Sequence, residues 1–375
     1  MTNSFNILFR YITLLLFIAA GFSSCNENPN AFTLKGTLKH LDGNNLVFVR
    51  DYPDSVVVDT IVANKDGDFS YKGTTDTLML GSLYFNNGRS ATAVFFNKGE
   101  KIKIDGDADF PDLINVKGNE INEALSDFKK SNKESLKART KLLQTFSKEG
   151  TVGSQTAPPK PNPGMISKLS NLNFQLTTSA SEYIKKNPEK IASVMLIQSF
   201  FKDNESVEAM EKKLQSLKEP ASNFFLTDQL QRYVDKIKSS QEGASAPNFV
   251  LKDANGKQFR YDQYRRKYLL LSFVSNDCPL CRKNQDELSD IYKKYKDKQV
   301  EILSVIVVED DDHSRKLKNG MKADWPVITL KDGWVSKILS DYNVNELPLS
   351  ILIYPDGTIA GREESPAMLQ PKLPV

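Results

Sequence analysis

Two cysteines three positions apart, Cys278 and Cys281, are the residues of this chain with the clearest capacity for chemistry. They follow an apolar run at 269–274 and open a segment in which Leu288, Ile291 and Tyr292 recur at helical spacing. Strand, CxxC, helix is the context in which such a pair does dithiol–disulfide exchange. Pro279 suits the first helical position, where its missing N–H costs nothing, and this puts Cys278 at the exposed helix N-terminus. Backbone amides there favour the thiolate, the nucleophilic species. Cys281, one turn on, is placed to attack the resulting mixed disulfide and release the substrate.

Asp277 works against this activation. A carboxylate about 6 Å away disfavours the thiolate by roughly 0.7 kcal/mol in water-like dielectric. The helix terminus favours it by about 0.3–1 kcal/mol, so the two nearly cancel. A purely structural disulfide is a poor explanation of the pair, since closing so short a loop contributes about 2 kcal/mol at most. A structural zinc site needs four ligands, and there is no second CxxC; the two histidines, His40 and His313, are far apart in sequence. The expectation is therefore no metal and no cofactor.

The third cysteine, Cys25, has a different setting. Arg10, an apolar stretch over 11–22 and the small residues Ser23 and Ser24 form the three regions of a secretory signal. The stretch is shorter than the roughly 20 apolar residues that span a bilayer. Phe22-Ser23-Ser24-Cys25 resembles a bacterial lipobox, although leucine is usual where Phe22 stands. The resemblance implies lipidation of Cys25 after cleavage, a polar tether over 26–30, and a cell-envelope location on a bacterial membrane, facing the periplasm or the outside.

The elements that would position these residues fall into regions. The 375 residues suffice for two or three domains, and 50 basic against 47 acidic side chains leave a net charge of +3, no signature of a nucleic-acid partner. After the signal peptide (1–24) and the lipidated cysteine with its tether (25–31), residues 32–118 alternate short apolar runs with turn dipeptides such as Asp42-Gly43, Asp66-Gly67 and Asn87-Gly88. They predict an antiparallel β domain with strands near 32–38, 46–49, 56–61, 68–72, 80–85, 92–96 and 101–104. The stretch Asp105 to Asp109 starts like a calcium loop, but Phe110 takes the glycine position, so a plain turn is expected. Residues 119–240 read as helical, from a stripe of Ile121, Leu125, Phe128, Leu136, Leu142, Leu143 and Phe146, with a proline-rich loop over 157–164. The small polar run 241–245 marks a boundary. From 244 to 375, strands near 268–274, 300–308 and 349–354 alternate with charged helical segments, as in an α/β domain; the acidic run 309–312 reads as a solvated loop.

Several separated motifs in this last region resemble the TlpA/ResA-like branch of the thioredoxin superfamily. Ala246-Pro247-Asn248-Phe249 with Asp253-Ala254-Asn255-Gly256-Lys257 looks like the opening hairpin, and residues 273–281 like the active-site strand and loop. Tyr342-Asn343-Val344 with Leu347-Pro348 looks like the approach to the cis-proline, and Tyr354-Pro355-Asp356-Gly357-Thr358-Ile359 like the last hairpin. The β-rich region resembles the domain of unknown function that often precedes such modules in bacterial lipoproteins. The resemblance implies a C-terminal thioredoxin-like fold, a cis Pro348 against the cysteine pair, and Leu347 offering backbone groups to a substrate peptide. It implies an envelope thiol-disulfide oxidoreductase whose partners are protein dithiols or disulfides and a further envelope redox protein. The chain departs from the family at Asp277, where tryptophan is usual, at Pro279-Leu280, at Asn284 and Asp286, and at Ser272, where thioredoxin keeps a buried aspartate. Two other readings remain: a peroxiredoxin-like peroxidase, suggested by Ser275 three residues before Cys278, and a redox-inactive binding or scaffold lipoprotein.

Overall fold

The computed structural model describes residues 28–52, 55–150 (side chains to 146), 162–202, 205–253, 256–275, 278–308 and 323–374. The leader with Cys25, most of the proline-rich stretch, Asp277, the acidic run 309–312 and His313 lie outside them. Two compact units divide at Leu196/Ile197.

The first unit begins with eight strands: β1 (Ala31–Lys39), β2 (Asn45–Tyr52), β3 (Ser55–Val62), β4 (Asp68–Thr74), β5 (Met79–Phe85), β6 (Ser90–Phe96), β7 (Lys101–Asp107) and β8 (Asn115–Lys117). They form two sheets, β4-β1-β7-β8 and β3-β2-β5-β6. Alternation along each strand turns Phe32, Leu34, Phe48, Leu83, Phe96, Ile102 and Ile104 into one shared core. Every pairing is antiparallel, as tight turns dictate for the hairpins β2-β3 and β5-β6, except β1 with β7, which run parallel. The Asp66-Gly67 turn requires its glycine: φ is +82°, and a Cβ would stand 2.0 Å from the Leu38 carbonyl oxygen.

A helix, α1 (Glu120–Ser131), seals the edges of this domain. Asn122, Ser126 and Lys129 recur at i, i+4 and i+7, so they share one helical face. The Asn122 side chain bonds both the N–H and the carbonyl of Phe95, Ser126 does the same for Val116, and Lys129 donates to the Ile114 carbonyl. The helical stripe read from the sequence is broken at Asn132, which lies between α1 and α2 (Lys133–Gly150). Phe128 and Leu136 are buried but Leu143 is exposed, so the apolar positions do not all lie on one buried face. Helices α3 (Pro163–Lys186) and α4 (Ile191–Phe200) follow, and the division between units falls within α4.

The second unit holds a helix pair, α5 (Val207–Gln215) and α6 (Phe225–Lys238), tied by Lys238 to Glu211 at 2.9 Å. A hairpin of β9 (Val250–Lys252) and β10 (Gln258–Arg260) precedes a five-stranded sheet ordered β13-β12-β11-β14-β15. Its members are β11 (Tyr268–Val274), β12 (Val300–Val307), β13 (Val327–Leu330), β14 (Leu349–Ile353) and β15 (Ile359–Glu363), with α7 (Pro279–Tyr295) joining β11 to β12 and α8 (Lys337–Asp341) preceding β14. β11, β12 and β13 are parallel and β14 and β15 antiparallel to their neighbours, a thioredoxin-like arrangement. Strand β11 is central and covered on both faces, which is why its sequence is apolar almost without alternation.

The small polar run at 241–245 is built into this unit. Gly243 N–H donates to the Ile359 carbonyl, Ile359 N–H to Ala244, and Ala246 N–H to Gly357. Arg362 reaches the carbonyls of Ser240, Tyr342 and Asn343 at 2.8, 2.7 and 3.1 Å, joining the end of α6 to the turn after α8.

Candidate functional site

The chain leaves the central strand at Val274 and re-enters as a helix at Pro279, so the cysteine pair sits where the sheet meets the N-terminus of α7. Cys278 is the N-cap: its backbone is extended (φ −95°, ψ 112°) and its sulfur accepts from the Cys281 N–H at 3.1 Å. Pro279 occupies the first turn, where it forfeits no helical hydrogen bond. The two sulfurs are joined in a disulfide across Cα atoms 5.2 Å apart. The two cysteines differ in access. Cys278 is half-buried and Leu280 beside it is 51% exposed, whereas Cys281 is 3% exposed. Cys281 packs with Val274 and Ile306, and its sulfur lies 3.5 Å from the Ser275 N–H.

The antiparallel register of β11 and β14 pairs Phe273 with Leu349, which brings the preceding Leu347-Pro348 to the same end of the sheet. That peptide bond is cis. The Leu347 carbonyl oxygen lies 4.0 Å from Cys278 Sγ, and the Leu347 side chain packs against the Val274–Cys281–Ile306 cluster. Cys278, Cys281, Pro279, Leu347 and Pro348, singled out from the sequence, therefore occupy one place; Asp277 lies outside the described residues.

Behind the disulfide the helix presents Cys281, Asn284, Leu288 and Ile291 to the sheet, all buried. Asn284 is 3% exposed, and its Nδ2 donates to the Glu364 carbonyl at 2.5 Å. The next turn is apolar, with Leu288 and Ile291 packing on Leu270, Ile302 and Leu352. On the sheet, Ser272, Ser304 and Ser350 are fully buried. Ser350 Oγ donates to Ser272 Oγ at 3.2 Å, and Trp325 Nε1 to Ser304 Oγ at 2.9 Å. Sequence reasoning marked Ser272 and Asn284 only as departures from a family pattern and passed over Ser304, Ser350 and Trp325. A signal was present, because each of three apolar strands carries a single serine within an otherwise apolar run.

Among the described residues one group could hold a metal ion, His40 with Asp107 and Asp109 at the end of the first sheet. His40 Nδ1 is 2.9 Å from Asp107, and this hydrogen bond with its attendant charge raises the imidazole pKa; the histidine is 64% exposed. It is an ion pair on a turn.

Comparison with known proteins fits this geometry. The AhpC/TSA family model matches residues 243–362, and the model of a domain of unknown function, DUF4369, matches residues 32–125. A thiol-disulfide oxidoreductase ResA of Bacillus cereus is 33% identical over 129 residues, which are 34% of this chain and 73% of that protein. The ResA of Bacillus anthracis is 35% identical over 127 residues, 34% of this chain and 71% of that one. Among solved structures, the C-terminal domain of a thiol-disulfide oxidoreductase from Bacteroides thetaiotaomicron is 28% identical, with a TM-score of 0.33, over 36% of this chain and 94% of that one.

Proposed function

Because the chain belongs, through its C-terminal third, to the ResA-type thiol-disulfide oxidoreductases, we propose that it exchanges disulfides with protein substrates through Cys278 and Cys281. The observation that carries this is the placement of Cys278 as the accessible N-cap of α7, bonded to a buried partner one turn on. When the pair is reduced, the Cys278 thiolate attacks a substrate disulfide; one substrate sulfur leaves and a mixed disulfide forms. Cys281 then attacks Cys278 Sγ, closing the internal disulfide and releasing the second substrate thiolate, so two electrons pass to the substrate. The cis Leu347-Pro348 segment, with a carbonyl beside Cys278, shapes the groove for the incoming peptide.

Reduction of insulin or of a cystine peptide by the reduced protein tests this reading, with loss of activity expected in Cys278→Ser. Inactivity of the wild type toward several reductants and substrates favours the binding-lipoprotein reading, and peroxide consumption with a Cys278 sulfenate favours the peroxidase. The direction of electron flow follows from the reduction potential of the pair, because about 30 mV shifts such a two-electron equilibrium tenfold. We further read the chain as a lipoprotein anchored through Cys25 in the cell envelope, where an envelope redox partner resets the pair. Fatty-acid labelling lost in Cys25→Ala tests the anchor. The β-rich and helical regions space or present the redox module.

A further inference from the structure

The edge strand of a sheet exposes a row of unpaired N–H and C=O groups, and folded proteins close such edges. In the first unit, three of the four edges among the described residues are closed. The β8 edge is only three residues long, and Ser126 bonds both the N–H and the carbonyl of Val116 there. Asn122 does the same for Phe95 at the β6 edge. β4 turns Asp68, Ser70, Lys72 and Thr74 to solvent, a charged and polar pattern that discourages pairing. The fourth edge is β3, and it has none of these devices.

β3 runs eight residues in unbroken register with β2 and carries no lysine, arginine, proline or glycine. Among the described residues no strand lies on its other side. Val56, Val58 and Val62 are 60%, 60% and 67% exposed, and Thr60 between them is exposed too. The single charge of the strand, Asp59, alternates to the other face, where Arg50 holds it at 2.6 Å and Tyr71 at 2.8 Å. These contacts tie β3 to β2 and β4, so the open edge is presented in a fixed conformation. The uncharged stripe continues across the same face, since Val58 stands opposite Val49 and Thr60 opposite Val47 on β2. Apolar exposure with charge depleted is the composition of an interface core.

The geometry points to a second copy of this chain as the occupant, with β3 pairing antiparallel to its own equivalent. An antiparallel edge is its own complement, because a two-fold axis brings each free N–H to a matching carbonyl. A stripe without charge is also compatible with itself, whereas like charges directly opposed across such an axis are destabilising. Centred on Val58, the pairing runs over 55–61: Val58 meets its equivalent, Val56 meets Thr60, and Asp59 meets Val57 and not another Asp59. The two four-stranded sheets then join into one continuous sheet. This inference stands apart from the disulfide-exchange reading, since it uses none of the residues of that site.

The test is the sedimented mass of the full-length protein in detergent at micromolar concentration, expected to be that of two chains. Val58→Lys and Val58→Glu each set like charges opposite one another and should each halve the mass. An equimolar mixture of the two variants should restore the dimer, because the opposed charges are then unlike. Ser70→Lys, on the closed β4 edge, should sediment as the wild type does, and far-ultraviolet circular dichroism checks that each variant is folded. Val58→Cys, which leaves the strand uncharged, should form an intermolecular disulfide under mild oxidation, visible on a non-reducing gel. A wild type that sediments as one chain, whatever else it binds, overturns the proposal. So does a folded Val58→Lys protein that stays dimeric, a mixture of folded variants that stays monomeric, or a dimeric Val58→Cys protein that does not cross-link; each of these leaves disulfide exchange intact.

Discussion

Cys278 is at once the outer half of the disulfide and the N-cap of α7, its sulfur accepting from the Cys281 N–H at 3.1 Å. The same backbone donor that caps the helix is therefore available to the Cys278 thiolate after reduction, while Cys281 stays packed among Val274 and Ile306. In the reduced protein iodoacetamide should modify Cys278 first, with Cys281 slower by roughly tenfold or more, because reactivity follows thiolate character and access. Mass spectrometry of timed digests measures this; equal labelling of the two would contradict the assigned order of attack.

Arg362 should matter as a tie between elements. Its guanidinium donates to three carbonyls, two of them at the end of the α8 turn, and burial lowers its pKa, with no acidic partner among the described residues. Replacing it by methionine keeps the stem and orphans the carbonyls. A hydrogen bond involving a charged group contributes about 1.5–3 kcal/mol, so Arg362→Met should cost on the order of 3 kcal/mol after the gain from not burying a charge. Urea denaturation measures it, and an unchanged midpoint would show that the three bonds add nothing net.

How much of this is legible in the sequence depends on whether the signal is local. The hairpins of the first unit follow from turn dipeptides and two-residue alternation, and the cysteine pair from its place between an apolar run and an amphipathic one. β13 is four residues long, and β15 reads Ile-Ala-Gly-Arg-Glu, ending in two charged residues; neither announces itself without the strand it pairs with. The break at Asn132 is invisible to a periodicity count, because the apolar spacing continues through it. The serines were visible as residues, but their meaning is a matter of register between strands separated by tens of positions. Likewise Asn122 and Ser126 look like ordinary polar helix residues until the edges of β6 and β8 are beside them.

The C-terminal turn should be sensitive to acid. Glu287 on α7 accepts from the Ser365 hydroxyl at 2.5 Å and from the Ala367 N–H at 3.2 Å. Burial alone would raise its pKa, but these hydrogen bonds, with help from Lys283, outweigh it and hold the carboxyl below its usual range. A depressed folded-state pKa means the stabilisation is present above the unfolded value, about 4.3, and is lost as pH falls through the folded one. The protection of amides over residues 365–373, taken relative to the intrinsic exchange rate at each pH, should therefore fall between about pH 5 and pH 3 in the wild type. Glu287→Gln should exchange faster already at pH 6 and respond less to acid; identical profiles would remove Glu287 from the account.

The sequence sets two opposed charges beside Cys278 as an expectation, and one of them can be deleted. The end of α7 favours the thiolate by about 0.3–1 kcal/mol. The adjacent Asp277 carboxylate opposes it by roughly 0.7 kcal/mol if about 6 Å separates the charges. Removing that opposition in Asp277→Asn leaves the helix terminus alone, so the Cys278 pKa should fall by about half a unit, at 1.36 kcal/mol per unit. The thiolate fraction near neutral pH then rises by at most about threefold, and the ultraviolet absorbance of the thiolate follows it in the reduced protein. Attack on a cystine peptide should speed up by less than the thiolate fraction, because nucleophilicity falls as the pKa falls. An unchanged or higher pKa in this variant would mean that the carboxylate is turned away from the sulfur and that the helix N-terminus governs the thiol by itself.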